Sequence, residues 1–135
     1  MTDQSENIKL LREGTDAYNR GDMTFVLSRA ADDIEVYADR SLMNSGSYHG
    51  HDGFAKWMQD WNEAWREITI DVKKVEEIEG RFLVVEAHQS AVGSGSGVPV
   101  EMDIVQLIEV RDGQIARFNL YPDRALADAA LAELR

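Results

Sequence analysis

The sequence predicts an α+β fold in a single domain, helices first and an antiparallel sheet after them, and three observations carry that prediction. Residues 81–121 read as consecutive β-hairpins, Arg81 to Val92 with Val98 to Val110, then Val98 to Val110 with Gln114 to Tyr121. Ahead of them, Phe54, Trp57, Met58, Trp61 and Trp65 fall at i, i+3, i+4, i+7 and i+11, which draws one apolar stripe along a helix. No internal repeat, interdomain linker or long low-complexity segment interrupts residues 1–135.

In chain order, Ser5 is placed to cap a helix running to about Arg20, with Ile8, Leu11, Thr15 and Tyr18 at helical spacing and Gly21 as its stop. Arg20-Gly21-Asp22 spells a cell-adhesion tripeptide, but here it reads as that stop followed by the cap of a short helix from Met23 to Ala30. A strand follows from Ile34 to Ala38, with Tyr37 on the face opposite Ile34 and Val36. Asp39 to Gly50, with Ser41, Asn44, Ser45, Gly46 and Ser47, is expected to be a polar loop at the edge of a site. Asp52 is the expected cap of the tryptophan helix, and Glu67 to Ile78 the next strand. Its alternation slips at Lys73-Lys74, which suggests a β-bulge. Asp123 caps a final alanine-rich helix to Arg135.

The Asp112-Gly113 turn suits a type I′ hairpin, whose two central residues both need positive φ. Pairing Arg111 with Gln114 places Asp103, Val105, Leu107, Ala116, Phe118 and Leu120 on one face, and Ile104, Gln106, Ile108, Arg117, Asn119 and Tyr121 on the other. Across the Gly93–Gly97 loop, an odd alignment brings His88 beside Asp103 and puts Val84 and Glu86 on the same face; a slip of one residue sends His88 and Glu86 to the opposite side. Both faces of Phe82–Val85 and of Ile104–Ile108 are apolar, so the sheet needs cover on its second side, for which another subunit is the economical source.

A chain of 135 residues with 44% hydrophobic content has enough apolar material to bury roughly two-thirds of its unfolded surface and keep a pocket. With 25 Asp and Glu against 14 Lys and Arg, the formal charge of −11 argues against binding a phosphate backbone or an anionic membrane surface. No apolar run approaches the ~20 residues of a membrane span, and Met1 to Leu10 lacks the basic start and apolar centre of a signal peptide, so a cytoplasmic address is expected. Without cysteine, disulfides, thiolate chemistry and sulfur-ligated zinc are excluded.

The segments Ala17-Tyr18-Asn19-Arg20-Gly21-Asp22-Met23, Ala31-Asp32-Asp33-Ile34-Glu35-Val36, Tyr48-His49-Gly50-His51-Asp52-Gly53 and Val110-Arg111-Asp112-Gly113-Gln114-Ile115-Ala116-Arg117 occur in this order along nearly the whole chain. Together with the order of elements they resemble the SnoaL-like polyketide cyclase group of the nuclear transport factor 2-like (NTF2-like) superfamily. The resemblance implies an NTF2-like cone, a curved antiparallel sheet covered by helices around an internal cavity, in a homodimer formed by the backs of the sheets. It implies no single activity, because the superfamily hosts cyclases, ketosteroid isomerases, dehydratases, epoxide hydrolases and noncatalytic domains. The isomerase pattern is not met: Gly14 stands where that group has an oxyanion-binding tyrosine, its base aspartate falls near Ala38 with Asp39 adjacent, and its second acid falls near Asp103. A SnoaL-type aspartate and histidine resemble Asp103 and His88 in type.

The expected catalytic residues are therefore Asp103, as general base or acid, and His88 as its assistant. An acid walled by Val105, Leu107, Phe118 and a tryptophan is poised to exchange a proton, and a nearby imidazole can orient it. Tyr18, Tyr37, Met58, Trp61, Trp65, Glu86 and Phe118 are expected to contact a small apolar or aromatic molecule, whereas Trp57 is assigned to packing. No cofactor is expected. His49-x-His51 with Asp52 mimics a metal cluster but lacks further histidines nearby, and Gly93-Ser94-Gly95-Ser96-Gly97 lacks the lysine and helix of a phosphate loop, so neither a metal nor a nucleotide is expected. The functional expectation is a cyclase, isomerase or hydratase acting on a small molecule; the alternatives are a noncatalytic binder of an apolar ligand and a dimeric association domain.

Overall fold

The computed structural model describes residues 5–42 and 45–135; Asn44 of the expected polar loop lies outside them. The chain forms α1 (Glu6–Asn19), α2 (Met23–Ser28), β1 (Ala30–Ala38), β2 (Gly46–His49), α3 (Gly50–Ala64), β3 (Trp65–Ile78), β4 (Phe82–Gly93), β5 (Pro99–Arg111), β6 (Gln114–Tyr121) and α4 (Arg124–Leu134). Three helices start as their caps direct. Ser5, Asp22 and Asp123 each accept a backbone N–H from three residues on, Ile8, Phe25 and Leu126 respectively, which satisfies a donor the first turn leaves free. The fourth, α3, begins earlier than its aspartate suggested: His49 is the flanking residue and Asp52 sits in the first turn, where its charge favours the helix N-terminus.

Two local expectations are corrected. Gly46–His49 is a strand rather than loop, because Val36 and Tyr48 pair across β1 and β2. Trp65 leaves the helix and opens β3, paired with Gly93, so the tryptophan stripe ends at Trp61 as a helical feature.

The strands lie in the order β2-β1-β6-β5-β4-β3. From β2 at one edge, α3 carries the chain to β3 at the other, and the meander β3-β4-β5-β6 then walks back until β6 reaches β1. Since β6 and β1 run the same way, that pair is parallel and the sheet is mixed rather than wholly antiparallel. The register slips between Val72 and Lys74, where the sequence phase change pointed, and also between Arg66 and Thr69, where Glu67 takes a φ of 54°. Further shifts lie in β1, between Ala30 and Glu35, and in β6. Each extra residue bends its strand, and together they curve the sheet.

The shift in β6 decides which residues meet inside. Asp112 and Gly113 both have positive φ, 53° and 75°, and Arg111 pairs with Gln114 as the turn requires. Val110 then pairs with Ile115 but Glu109 with Arg117, which leaves Ala116 as the extra residue of a bulge. Past it every side chain changes face. Phe118 and Leu120 therefore stand with Ile104, Gln106 and Ile108, not with Asp103, Val105 and Leu107 as the unbroken register predicts.

On the concave side α1, α2 and α3 close over β-strand residues such as Ile34, Val85, Ala87, Ile104 and Ile108 to form the larger core. On the other side α4 packs Ala127 and Leu131 against Phe82, Val84, Val105, Leu107 and Tyr121. Those residues are covered by the chain's own last helix.

Candidate ligand pocket

Between the helices and the concave face lies a pocket with a cavity volume of about 90 Å³. Helix α3 supplies its aromatic wall. Trp57 and Trp61, one turn apart, stack with ring centroids 5.5 Å apart, and Phe118 meets Trp57 at 5.7 Å and Phe54 at 6.0 Å. The strands supply Ile70, Gln89, Ile104, Gln106, Ile108 and Leu120 as its floor. Helix α1 brings Leu11, Gly14, Thr15 and Tyr18 to its rim. That helix is anchored to the sheet by Asn19, whose side chain donates to the Ile70 carbonyl at 2.9 Å and accepts the Ile70 N–H at 2.8 Å.

Among the described residues no Asp, Glu, Lys, Arg or His side chain lines this pocket. Its polar groups are neutral. The Tyr18 hydroxyl donates to Asn62 Oδ1 at 2.8 Å, and burial pushes the phenol above its ordinary range, so it stays protonated at any physiological pH. Gln89, only 2% exposed, accepts from the Trp61 indole N–H at 3.3 Å. Because an indole N–H can only donate, this contact fixes the amide with its oxygen toward Trp61. Gln89 Nε2 and the Trp57 indole nitrogen are then buried without a hydrogen-bond partner.

Of the residues expected at a site, Tyr18, Met58, Trp61 and Phe118 line this pocket, and Trp57, assigned to packing, lines it as well. Trp65 does not; it sits behind Trp61 at 6.4 Å between centroids. Tyr37 is on the outer face of β1, against Tyr121 at 5.9 Å. Glu86 is also on the outer face, where Arg124 reaches it at 3.1 Å.

Asp103 and His88 form a pair, but on the outer face of the sheet. The Gly93–Gly97 loop keeps the odd register, His88 opposite Asp103, and the two side chains meet at 2.8 Å (Nδ1 to Oδ1). Glu101 takes the other ring nitrogen at 2.8 Å. The Asp103 carboxylate is 88% exposed, so the expected apolar wall around it is absent, and the Ala116 bulge is the reason: it turns Phe118 to the opposite side. The hydrogen bond to Asp103, and next that to Glu101, raise the pKa of His88 above its ordinary value. His49 and His51 turn to different partners, Glu35 at 2.9 Å and the Ala30 carbonyl at 2.8 Å.

Sequence reasoning missed Gln89 and Gln106. Their signal was present: Gln106 stands between Ile104 and Ile108, and Gln89 continues the phase Leu83, Val85, Ala87 toward Ala91, each a lone amide in an apolar row. A polar residue buried in such a row needs a partner, which makes it informative.

The SnoaL-like domain family matches residues 11–118. The chain belongs to that family. No curated protein matches it. Among solved structures, an NTF2-like protein of unknown function from Burkholderia pseudomallei K96243 is 20% identical, with 96% of this chain and 97% of that one covered and a TM-score of 0.81. TerC, co-crystallized with polyporic acid, is 21% identical over 96% and 99% of the two chains, with a TM-score of 0.80. A protein described as a SnoaL-like polyketide cyclase, from Jannaschia sp. CCS1, is 18% identical over 96% of each chain, with a TM-score of 0.77. At these identities the likeness is one of fold. Among the described residues no helix is long and apolar enough to cross a membrane.

Proposed function

We propose that the chain binds a small, mainly apolar molecule in the pocket beneath α3. The observation that carries this reading is the pocket itself, an aromatic and aliphatic enclosure with a few neutral polar groups and, among the described residues, no charge, which is the make-up of a small-molecule site. In support, TerC, a protein of the same fold, was co-crystallized with a small molecule, polyporic acid.

The SnoaL-like family match favours a second reading, cyclase-type catalysis on the bound molecule. Within this pocket such chemistry would rest on a neutral hydrogen bond from the Gln106 amide that polarises a carbonyl. The acid/base role expected of Asp103 and His88 forms no part of it, since a ligand under α3 is separated from them by the sheet.

Gly14 gives a direct test. It lines the pocket from α1, and a Cβ there would meet nothing within 4 Å, so a larger side chain has room to grow toward the space a ligand would fill. Replacing a helix-interior glycine also favours folding by up to about 1 kcal/mol. The hydrocarbon indane should therefore change the tryptophan emission of the wild type saturably, and Gly14→Phe should abolish that change while keeping or raising the melting temperature. An equal response from the filled variant would show that the probe binds elsewhere.

A further inference from the structure

Helix α3 lines two spaces, and one of its residues belongs to both. Phe54, Trp57, Met58 and Trp61 face the pocket; Ala55, Met58, Gln59 and Asn62, the same spacing moved on by one residue, line a groove between α3 and α2. We infer that this groove is the vestibule of the pocket, and that the Met58 side chain and the Tyr18–Asn62 hydrogen bond form the gate through which a ligand passes from one to the other.

Size is the first argument. The pocket holds about 90 Å³, while sites for small molecules measure roughly 300–1,000 Å³. A ring compound therefore needs room that the resting arrangement does not give. The groove, bounded on the α2 side by Met23 and Leu27, holds about 390 Å³, and among the described residues only Met58 stands in the lining of both spaces. Methionine suits a movable partition, because its stem is unbranched and turns about three bonds. The neighbouring rings are less free: Trp57 and Trp61 stack on each other, and Phe118 braces Trp57 and Phe54.

The hydrogen bond at the same boundary is the second argument. Tyr18 lines the pocket and Asn62 lines the groove, one helical turn along α3 from Met58, and the hydroxyl donates to Asn62 Oδ1 at 2.8 Å. This bond ties α1 to α3 where the two spaces meet. Asn62 is exposed, so water replaces the bond when it opens and the cost of opening is small.

This inference rests on the pocket reading above, and rates separate the two. Stopped-flow mixing of the whole chain with indane, read by tryptophan emission, measures passage and affinity together. Ala55→Phe puts a ring into the groove at a position that does not line the pocket, so it should slow association and dissociation alike, each roughly tenfold, and leave the dissociation constant within about twofold. Asn62→Ala removes the latch and should speed both rates about fivefold, again with little change in affinity. A residue with only a structural role would change affinity through dissociation, and would not move both rates in step. If Ala55→Phe fails to fold by circular dichroism, Asn62→Ala at its exposed position decides the point alone. Wild-type rates in the folded variants, or a change confined to dissociation, would overturn the gate and leave the pocket reading standing. Absence of any saturable response in the wild type would overturn both.

Discussion

The two faces of the central strands use alternate residues of the same sequence for opposite purposes. Inward, Ile104, Gln106 and Ile108 of β5 face aromatic rings and a neutral pocket; outward, Asp103, Val105 and Leu107 face solvent at one end and α4 at the other. Every chargeable side chain that the sequence offered as chemistry on β4 and β5, namely Glu86, His88 and Asp103, belongs to the outer face, where each is held in an ion pair. Arg124 at the start of α4 gathers Glu76, Glu86 and Asp128 within 2.6–3.1 Å and so ties the helix across β3 and β4. Placing charge outside keeps its desolvation cost low, whereas the same groups inside would need partners the pocket lacks. In this protein the outer face carries the ion pairs and the packing of α4, and the inner face borders the pocket.

That division can be broken most forcefully by truncating neighbours on β5. Leu107→Ala removes a fully buried side chain packed under α4 and should cost roughly 3–5 kcal/mol. Ile108→Ala, one residue on, should cost less, roughly 2–3 kcal/mol, because its side chain already borders empty space and has fewer contacts to lose. Urea titrations of the two variants measure the difference, and the reverse order would contradict the assignment of faces.

A smaller effect should come from Arg124→Met, which removes the shared partner of three carboxylates but leaves most of the apolar stem. Being partly solvated, the network should contribute about 1 kcal/mol or less, and the loss should shrink as salt is raised. Ligand affinity should stay unchanged; a tenfold fall would mean the faces are coupled.

The smallest effect expected is the pH dependence contributed by His88. Its pKa is raised in the folded state by Asp103 and Glu101, with Asp71 across the β3 pairing and Lys73 nearby. A histidine whose folded pKa exceeds its unfolded value stabilises fully below the unfolded value, about 6.5, and loses that contribution as pH rises through the folded one. Melting temperatures of wild type and His88→Gln should therefore differ most on the acid side, while Asp103 and Glu101 stay ionised, and converge at alkaline pH. A gap that widens with rising pH would reverse the sign and remove the ion-pair account.

Much of this was legible from local chemistry. Caps at Ser5, Asp22 and Asp123 start their helices because a side-chain oxygen three residues back is a purely local partner, and Asp112-Gly113 makes its turn because positive φ is a local requirement. The phase slip at Lys73-Lys74 likewise announced a bulge that β3 does contain. For the same reason the odd register across Gly93–Gly97, and with it the His88–Asp103 pairing, could be written as one of two discrete options.

What the sequence by itself determined is thus most of the elements, the family resemblance carried by its ordered motifs, and which successive strands pair. The tertiary structure alone decided which face of the sheet is inside. One extra residue at Ala116, accommodated where β6 turns to lie beside β1, reversed Phe118 and Leu120 relative to the turn, and no local propensity marks that residue as the bulge. The parallel β1–β6 pair and the cover that α4 gives the outer face are likewise contacts between distant parts of the chain. Because a strand's side chains alternate with a period of two, that single residue moved the candidate site from a carboxylate and a histidine to two amides and a pair of indoles.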